Sequence, residues 1–216
     1  LGPILFNCVM ASLPKLLNSI GIKSHMYADD TQFWVSFGDN DELNNEATAR
    51  RRIVQAFSII SNFMKSSHLK LNPSKTQFIP FSRKTNPSSF SPLQLDDQVY
   101  VSPATEVRNL GVLMDSKLNF HSHVSEMRRN CFHQLKRLNS IRRFVPQDQF
   151  AILIHAFITS RIDFCNSIFY SLPENLVSRV QTIQNSCAKC LTRVNRFASA
   201  TEARITLHWL PIRARS

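Results

Sequence analysis

Apolar positions over the first twenty residues recur at helical spacing: Leu5, Val9, Leu13, Leu16, Leu17 and Ile20. Pro14 interrupts this stripe, predicting a break or a second helix start, and Gly21 supplies a residue suited to a left-handed cap. The pattern then changes. Residues 23–27 and 31–37, rich in Tyr, Phe, Trp and Val, predict two strands joined by the polar turn Ala28-Asp29-Asp30. Ile53, Phe57, Ile60 and Met64 return to helical spacing. Arg50, Arg51 and Arg52 would oppose the macrodipole in first turns, so this helix is expected to begin around residues 41–43. Residues 69–71 and 76–81 predict short extended segments around the turn Asn72-Pro73-Ser74, and residues 82–92 a loop. Further strands are expected near 98–101 and 107–114.

From His121 onward the period is helical throughout. Val124, Met127, Cys131, Leu135 and Leu138 mark one helix, Leu153, Ile154, Phe157 and Ile158 a second, and Leu176, Val180, Ile183, Cys187 and Leu191 a third. The pattern predicts an α+β chain: a mixed part over residues 1–118, then an all-helical part over residues 119–216.

Charge sharpens that division. The 216 residues carry a formal net charge of +11, and the excess is uneven. Residues 1–108 hold 11 basic and 9 acidic groups, whereas residues 109–216 hold 15 and 6. Twelve of those 15 are Arg, whose planar donor fork suits phosphate. A polyanionic partner such as nucleic acid is one reading of the second half, and a merely solvated basic surface is the other. No apolar run approaches the roughly 20 residues that span a bilayer, so no membrane is expected. The first residues lack the marks of a signal peptide. Five irregularly spaced cysteines suit a reducing intracellular compartment, nucleus or cytoplasm.

Two adjacent carboxylates at a hairpin tip repel each other and call for a cation. A hard divalent ion such as Mg²⁺ takes oxygen ligands of this kind. An Asp-Asp pair alone is commonly a solvated turn; its setting between two hydrophobic strands distinguishes Asp29-Asp30. Other constellations point elsewhere. Cys187-Ala188-Lys189-Cys190 has half a zinc spacing but no second pair, so core cysteines are expected. His121, His123 and His133 are expected on the surface at a helix entrance. Asp39-Asn40-Asp41-Glu42 fails the calcium-loop pattern because Leu43 takes a ligand position and no Gly follows.

Tyr27-Ala28-Asp29-Asp30 resembles the Tyr-x-Asp-Asp signature of reverse transcriptases, and its neighbours match in order. Leu1-Gly2-Pro3-Ile4-Leu5-Phe6-Asn7 is similar to the end of the preceding template-positioning motif. Leu69-Lys70-Leu71-Asn72 through Lys75-Thr76 is similar to the following motif, and Asn109-Leu110-Gly111-Val112-Leu113-Met114-Asp115 to the primer-gripping segment. Farther on, Phe157-Ile158-Thr159-Ser160-Arg161, Asp163-Phe164-Cys165-Asn166-Ser167, the run from Gln181 to Gln184-Asn185, and Leu207-His208-Trp209-Leu210-Pro211 resemble the downstream region of LINE-type retrotransposons, which lack long terminal repeats.

The resemblance implies a partial polymerase palm, a ferredoxin-like antiparallel sheet with helices, over residues 1–118 and a basic helical thumb-like region over 119–216. It implies RNA-directed DNA polymerisation with an RNA template, a DNA primer or target, dNTP and Mg²⁺. By position, Asp29 and Asp30 would be metal ligands and Lys75 the acid that protonates pyrophosphate. Tyr27, Ala28, Leu110 and Gly111 would lie against the primer end. Arg128, Arg129, Lys136 and Arg137, with Arg142 and Arg143 just beyond, would contact the duplex backbone.

The family also uses an Asp from a strand preceding this hairpin, and residues 1–28 contain no Asp or Glu. An incomplete cage should bind Mg²⁺ weakly or not at all, so these 216 residues are expected not to polymerise alone. The alternative is a non-catalytic nucleic-acid-binding remnant of a decayed element. A two-carboxylate nuclease ranks last, for want of further acids and His.

Overall fold

Pro14 and Gly21 punctuate the start of the chain as their backbone chemistry requires. The computed structural model describes residues 1–38, 45–82, 89–96, 99–195 and 197–215. They fall into two compact units, Leu1–Thr105 and Glu106–Ser216. In the first unit, helix α1 (Gly2–Met10) gives way to α2 (Leu13–Ser19), with Pro14 in the first turn, where no N–H partner is needed. Gly21, at φ +71°, ends α2, and its carbonyl accepts from Arg52 Nη2 at 2.7 Å.

Strands β1 (Lys23–Tyr27) and β2 (Asp30–Trp34) pair antiparallel. Helix α3 (Glu46–Ser66) starts later than expected, because Asn45 caps it by accepting from the Thr48 N–H at 2.9 Å. Two of its early arginines find acceptors outside the helix. Arg50 donates to the Ser91 and Pro92 carbonyls at 3.0 and 2.5 Å, and Arg52 to Gly21. These tertiary bonds offset the unfavourable dipole. The acidic cluster 39–42 lies outside the described residues.

One core gathers Met10, Leu13, Leu17, Ile22, Ala56, Ile60 and Met64, with Met26 and Phe33 of the hairpin packed against it. A second joins Phe57 of α3 to Leu93, Leu95 and Val101 of strands β3 (Leu93–Asp96) and β4 (Val99–Val101). In the expected extended segments, Phe78 bridges to Pro103, and Pro73–Lys75 wind into a 3-10 turn.

The second unit opens with β5 (Glu106–Asn109) and β6 (Val112–Asp115). Thus residues 106–115, grouped by sequence with the first part, pack with the helices that follow. The α+β class is the one expected. Its described strands form three separate two-stranded antiparallel hairpins rather than one continuous sheet. Helices α4 (His121–Ile141), α5 (Gln147–Ile154), α6 (Ser160–Asp163) and α7 (Glu174–Thr192) follow, with a π-type turn, His155–Thr159, between α5 and α6. Val124, Met127, Cys131 and Leu138 of α4 meet Val180, Ile183, Cys187 and Leu191 of α7 in the core. Burial pushes the Cys131 thiol up to about 11 and raises Cys187 further, so both are inert core residues, as their spacing suggested.

Helices α8 (Ala200–Thr206) and α9 (Ile212–Arg215) close the described chain. Polar side chains fasten this end. Buried Gln184 donates to the Leu210 carbonyl at 2.9 Å, and Gln181 accepts from the Ile212 N–H at 2.9 Å while donating to Gln184. Arg215 pairs with Asp163 at 2.5 Å, and Arg213 with Glu174 at 2.9 Å. Three downstream segments, widely spaced in sequence, therefore meet in one place.

Asp115 links β6 to α4. Its carboxylate accepts the backbone N–H groups of Lys117 and Asn119 at 3.0 Å each and of Phe120 at 2.6 Å. Burial works against its charge, but these donors outweigh that effect and hold the carboxyl below its ordinary 3.8.

Two expectations follow. Ile183 is fully buried, so Ile183→Ala should lower unfolding stability by about 2–5 kcal/mol in denaturant titration, whereas Ile205→Ala, at 67% exposure, should change it little. For Asp115 the folded-state value is depressed, so its stabilisation is present above pH 3.8 and is lost as pH falls through the lower folded-state value. Acid unfolding curves should show that loss in the wild type and a flatter acid limb in Asp115→Asn.

Candidate active site

The β1–β2 register pairs Tyr27 with Asp30, leaving Ala28-Asp29 as a two-residue loop. Side-chain alternation does the sorting. Met26 and Phe33 turn toward the helices, so Tyr27 and Asp30 face outward with His25 and Lys23. Asp29 projects from the loop, and both carboxylates are exposed. Ala28 takes φ +52°, a left-handed conformation costing an L-residue roughly 1–2 kcal/mol. A strained alanine at this tip is an observed outlier beside the pair of acids.

A groove of about 760 Å³ opens between α1 and the hairpin tip, lined by Pro3, Phe6, Asn7, Met10, Tyr27, Ala28 and Asp29 among others. The fold thus brings the first motif of the chain against the Asp-bearing loop. A smaller cavity of about 390 Å³ at the other end of the hairpin, around Lys23, Trp34 and Arg52, has no carboxylate among the described residues that line it.

The donor set suits a hard cation in part. Two carboxylates offer oxygen ligands, and among the described residues neither is engaged in an ion pair. Among the described residues, however, no third His, Cys, Asp or Glu joins them in a cluster. The pair alone is a partial oxygen donor set.

Other sequence-selected residues are placed separately. Lys75 ends the 3-10 turn, exposed, and forms no ion pair with Asp29 or Asp30 among the described residues. The turn itself is held by Asn72, which accepts from the Ser74 N–H at 3.1 Å. Leu110 and Gly111 form the β5–β6 turn of the second unit, at φ +44° and +88°. Two successive left-handed residues match a tight hairpin reversal, where Leu is a costly choice. A Cβ on Gly111 would meet the half-exposed Phe164 ring at 3.3 Å, a tight contact that a small shift of the ring relieves, so the positive φ is what favours Gly there.

On α4, Arg129 and Lys136 lie opposite the core face, flanked by Arg128 and Arg137, and all four are exposed. Arg128 also stacks over Phe132 at 5.3 Å. Arg142 is different: half-buried, it donates to the Cys190 carbonyl at 3.1 Å and so fastens α7. His123 corrects the surface reading of the histidines. It is only 8% exposed, and its Nδ1 accepts from the Leu113 N–H at 3.3 Å. Sequence reasoning missed this histidine and Asp115 as anchors. An acidic residue just ahead of a helix was the available signal for Asp115.

Comparison with known proteins supplies the family. The model of the reverse transcriptase (RNA-dependent DNA polymerase) family matches residues 1–114. Over 96% of its length the chain is 24% identical to a probable RNA-directed DNA polymerase from transposon BS of Drosophila melanogaster. It spans 23% of that protein, about a quarter of the curated relative's length. No solved structure matches. The family match takes in the α1 groove, the Asp29–Asp30 tip and most of the β5–β6 hairpin, and on that ground this chain belongs to the reverse transcriptases.

Proposed function

We propose that this chain is the palm remainder and thumb-like region of a non-LTR retrotransposon polymerase, with the functional division at residues 118/119. In its parent it copies an RNA template from a DNA primer or target, using dNTP, in the nucleus or cytoplasm. The observation that carries this reading is the exposed Asp29–Asp30 tip, fixed by the burial of Met26 and Phe33 and set against the α1 groove.

In this reading Asp29 and Asp30 hold Mg²⁺ together with an acid from elsewhere in the parent. Mg²⁺ held there would supply Lewis-acid chemistry for phosphoryl transfer, with Asp29 and Asp30 as its oxygen ligands. Tyr27 and Ala28 form the floor beneath the primer end. Lys75, exposed at the end of its turn, serves in this reading as the acid for the pyrophosphate. Leu110 offers an apolar side chain, 36% exposed, at a hairpin tip that Gly111 closes at positive φ, which suits contact with a primer sugar. Arg128, Arg129, Lys136 and Arg137 supply cations to the duplex backbone, and the +9 balance of residues 109–216 supports that role.

Primer extension tests the catalytic part. The 216 residues alone should show no metal-dependent synthesis. A longer chain carrying the upstream acid should, and Asp29→Asn should lower its rate roughly a hundredfold or more. If the longer chain binds duplex yet stays inactive, the remnant reading replaces this one. Anisotropy titration of a primer–template duplex tests the basic face. Arg129→Ala and Lys136→Ala should each weaken binding for every sequence alike and reduce the log–log salt slope by about 0.9, with the helix content unchanged.

A further inference from the structure

Among the described residues, four sets of side-chain interactions fasten the β5–β6 hairpin to α4 and its entrance. His123 accepts from the Leu113 N–H in the middle of β6, Asp115 takes three N–H groups at the helix entrance, Arg108 pairs with Glu126 at 2.6 Å, and Ser122 donates to Glu106. Of these, only the His123 bond is made by a buried side chain and reaches the strand backbone directly. It sits two residues from Gly111, in the strand leading out of the turn.

We propose that His123 is a positioning residue: as a neutral acceptor it holds β6 against α4 and so sets the placement of the Leu110–Gly111 turn that contacts the primer. The primer contact rests on the function proposed above; the anchoring of β6 does not.

The bond exists only while Nδ1 is unprotonated, since an imidazolium has two donors and no acceptor. The charged groups facing His123 are Glu126 on its own helix and Arg108 on β5, already paired with each other. On β6 the Asp115 carboxylate is occupied by backbone N–H groups, and from α7 Arg179 reaches Ser125 Oγ at 3.2 Å. Burial favours the neutral ring, Glu126 opposes and Arg108 assists, leaving the ring below its ordinary 6.5. Stabilisation by His123 is therefore complete above pH 6.5 and is lost as pH falls through the lower folded-state value. The bond is intact at neutral pH and opens in acid.

The test uses the full 216-residue chain with His123→Gln, which keeps an acceptor but does not titrate, and His123→Leu, which keeps bulk but accepts nothing. Amide exchange at Leu113 reads the anchor directly. It should quicken about three- to tenfold in His123→Leu, the span of one net hydrogen bond, and return toward the wild-type rate in His123→Gln. With each rate corrected for intrinsic exchange, which itself slows in acid, acidification should lower the protection of Leu113 in the wild type and not in His123→Gln. Duplex affinity reads the primer role. Protonating an exposed histidine strengthens binding to a polyanion, so wild-type binding that weakens on acidification, and does so only with His123 present, has the sign of turn release. Unchanged Leu113 exchange in His123→Leu overturns the proposal whatever the duplex result. Altered exchange with affinity unchanged in both variants confirms the anchor and overturns the primer role. A wild type that binds no duplex at any pH overturns the polymerase reading itself, with the exchange data still deciding the anchor.

Discussion

Burial of one face of a two-stranded hairpin controls the first unit. A pair of strands alone is marginal in water, and this one persists because Met26 and Phe33 lie on the core built by α1, α2 and α3. Side chains alternate with a period of two, so anchoring Met26 leaves Tyr27 no choice but the solvent face, with Asp30 opposite it. A slip of one residue would bury the acid and expose the methionine. Packing of apolar residues thus determines where the carboxylates stand. The same core sets α1 alongside, which is why a groove forms between the helix and the tip.

The second unit depends on a different balance. Its interior is apolar along α4, α5 and α7, yet its ends are tied by polar side chains that reach backbone groups. Gln184 is nearly fully buried, and its amide satisfies the Leu210 carbonyl, which a hydrophobic residue would leave unpaired. Arg142 does the same for Cys190, and Asp115 for the amides of the turn that leads into α4. Each bond contributes modestly, but each fixes where an irregular segment sits on the helices. Arg142 also shows that a basic sequence stretch divides by burial: the exposed Arg129 remains available to a polyanion, while Arg142 is committed to its own fold.

Strain marks both candidate tips. Ala28 and Leu110 occupy left-handed conformations at two-residue hairpin loops, where Gly or Asn would be relaxed. Neighbouring constraints hold them there: the register of β1 with β2, and for the second hairpin its attachments to α4. Among the described residues His68, Leu118, Phe120, Cys165, Arg193 and His208 share this conformation, so strain alone does not mark a site.

Much of the molecule is determined by the chain alone. The stripes of α4 and α7, the break at Pro14, the cap at Gly21 and the Asp29–Asp30 turn follow from periodicity and from the backbone limits of Pro and Gly, which act locally. The core reading of Cys187 followed from its place on an apolar stripe. What local rules could not supply was partnership at a distance. Helix α3 starts at Glu46 behind its Asn45 cap and tolerates arginines in its early turns because Arg50 and Arg52 find carbonyls in other segments, forty-odd and thirty-odd residues away. His123 is buried because β6 passes over it, and the Gln181–Gln184 pair has a purpose only once residues 207–212 fold back upon it. A sequence displays its periodicities, but a hydrogen bond between remote segments exists only after burial has removed water as the competing partner. For that reason the carboxylate tip could be read in advance, and the anchors around the second hairpin could not.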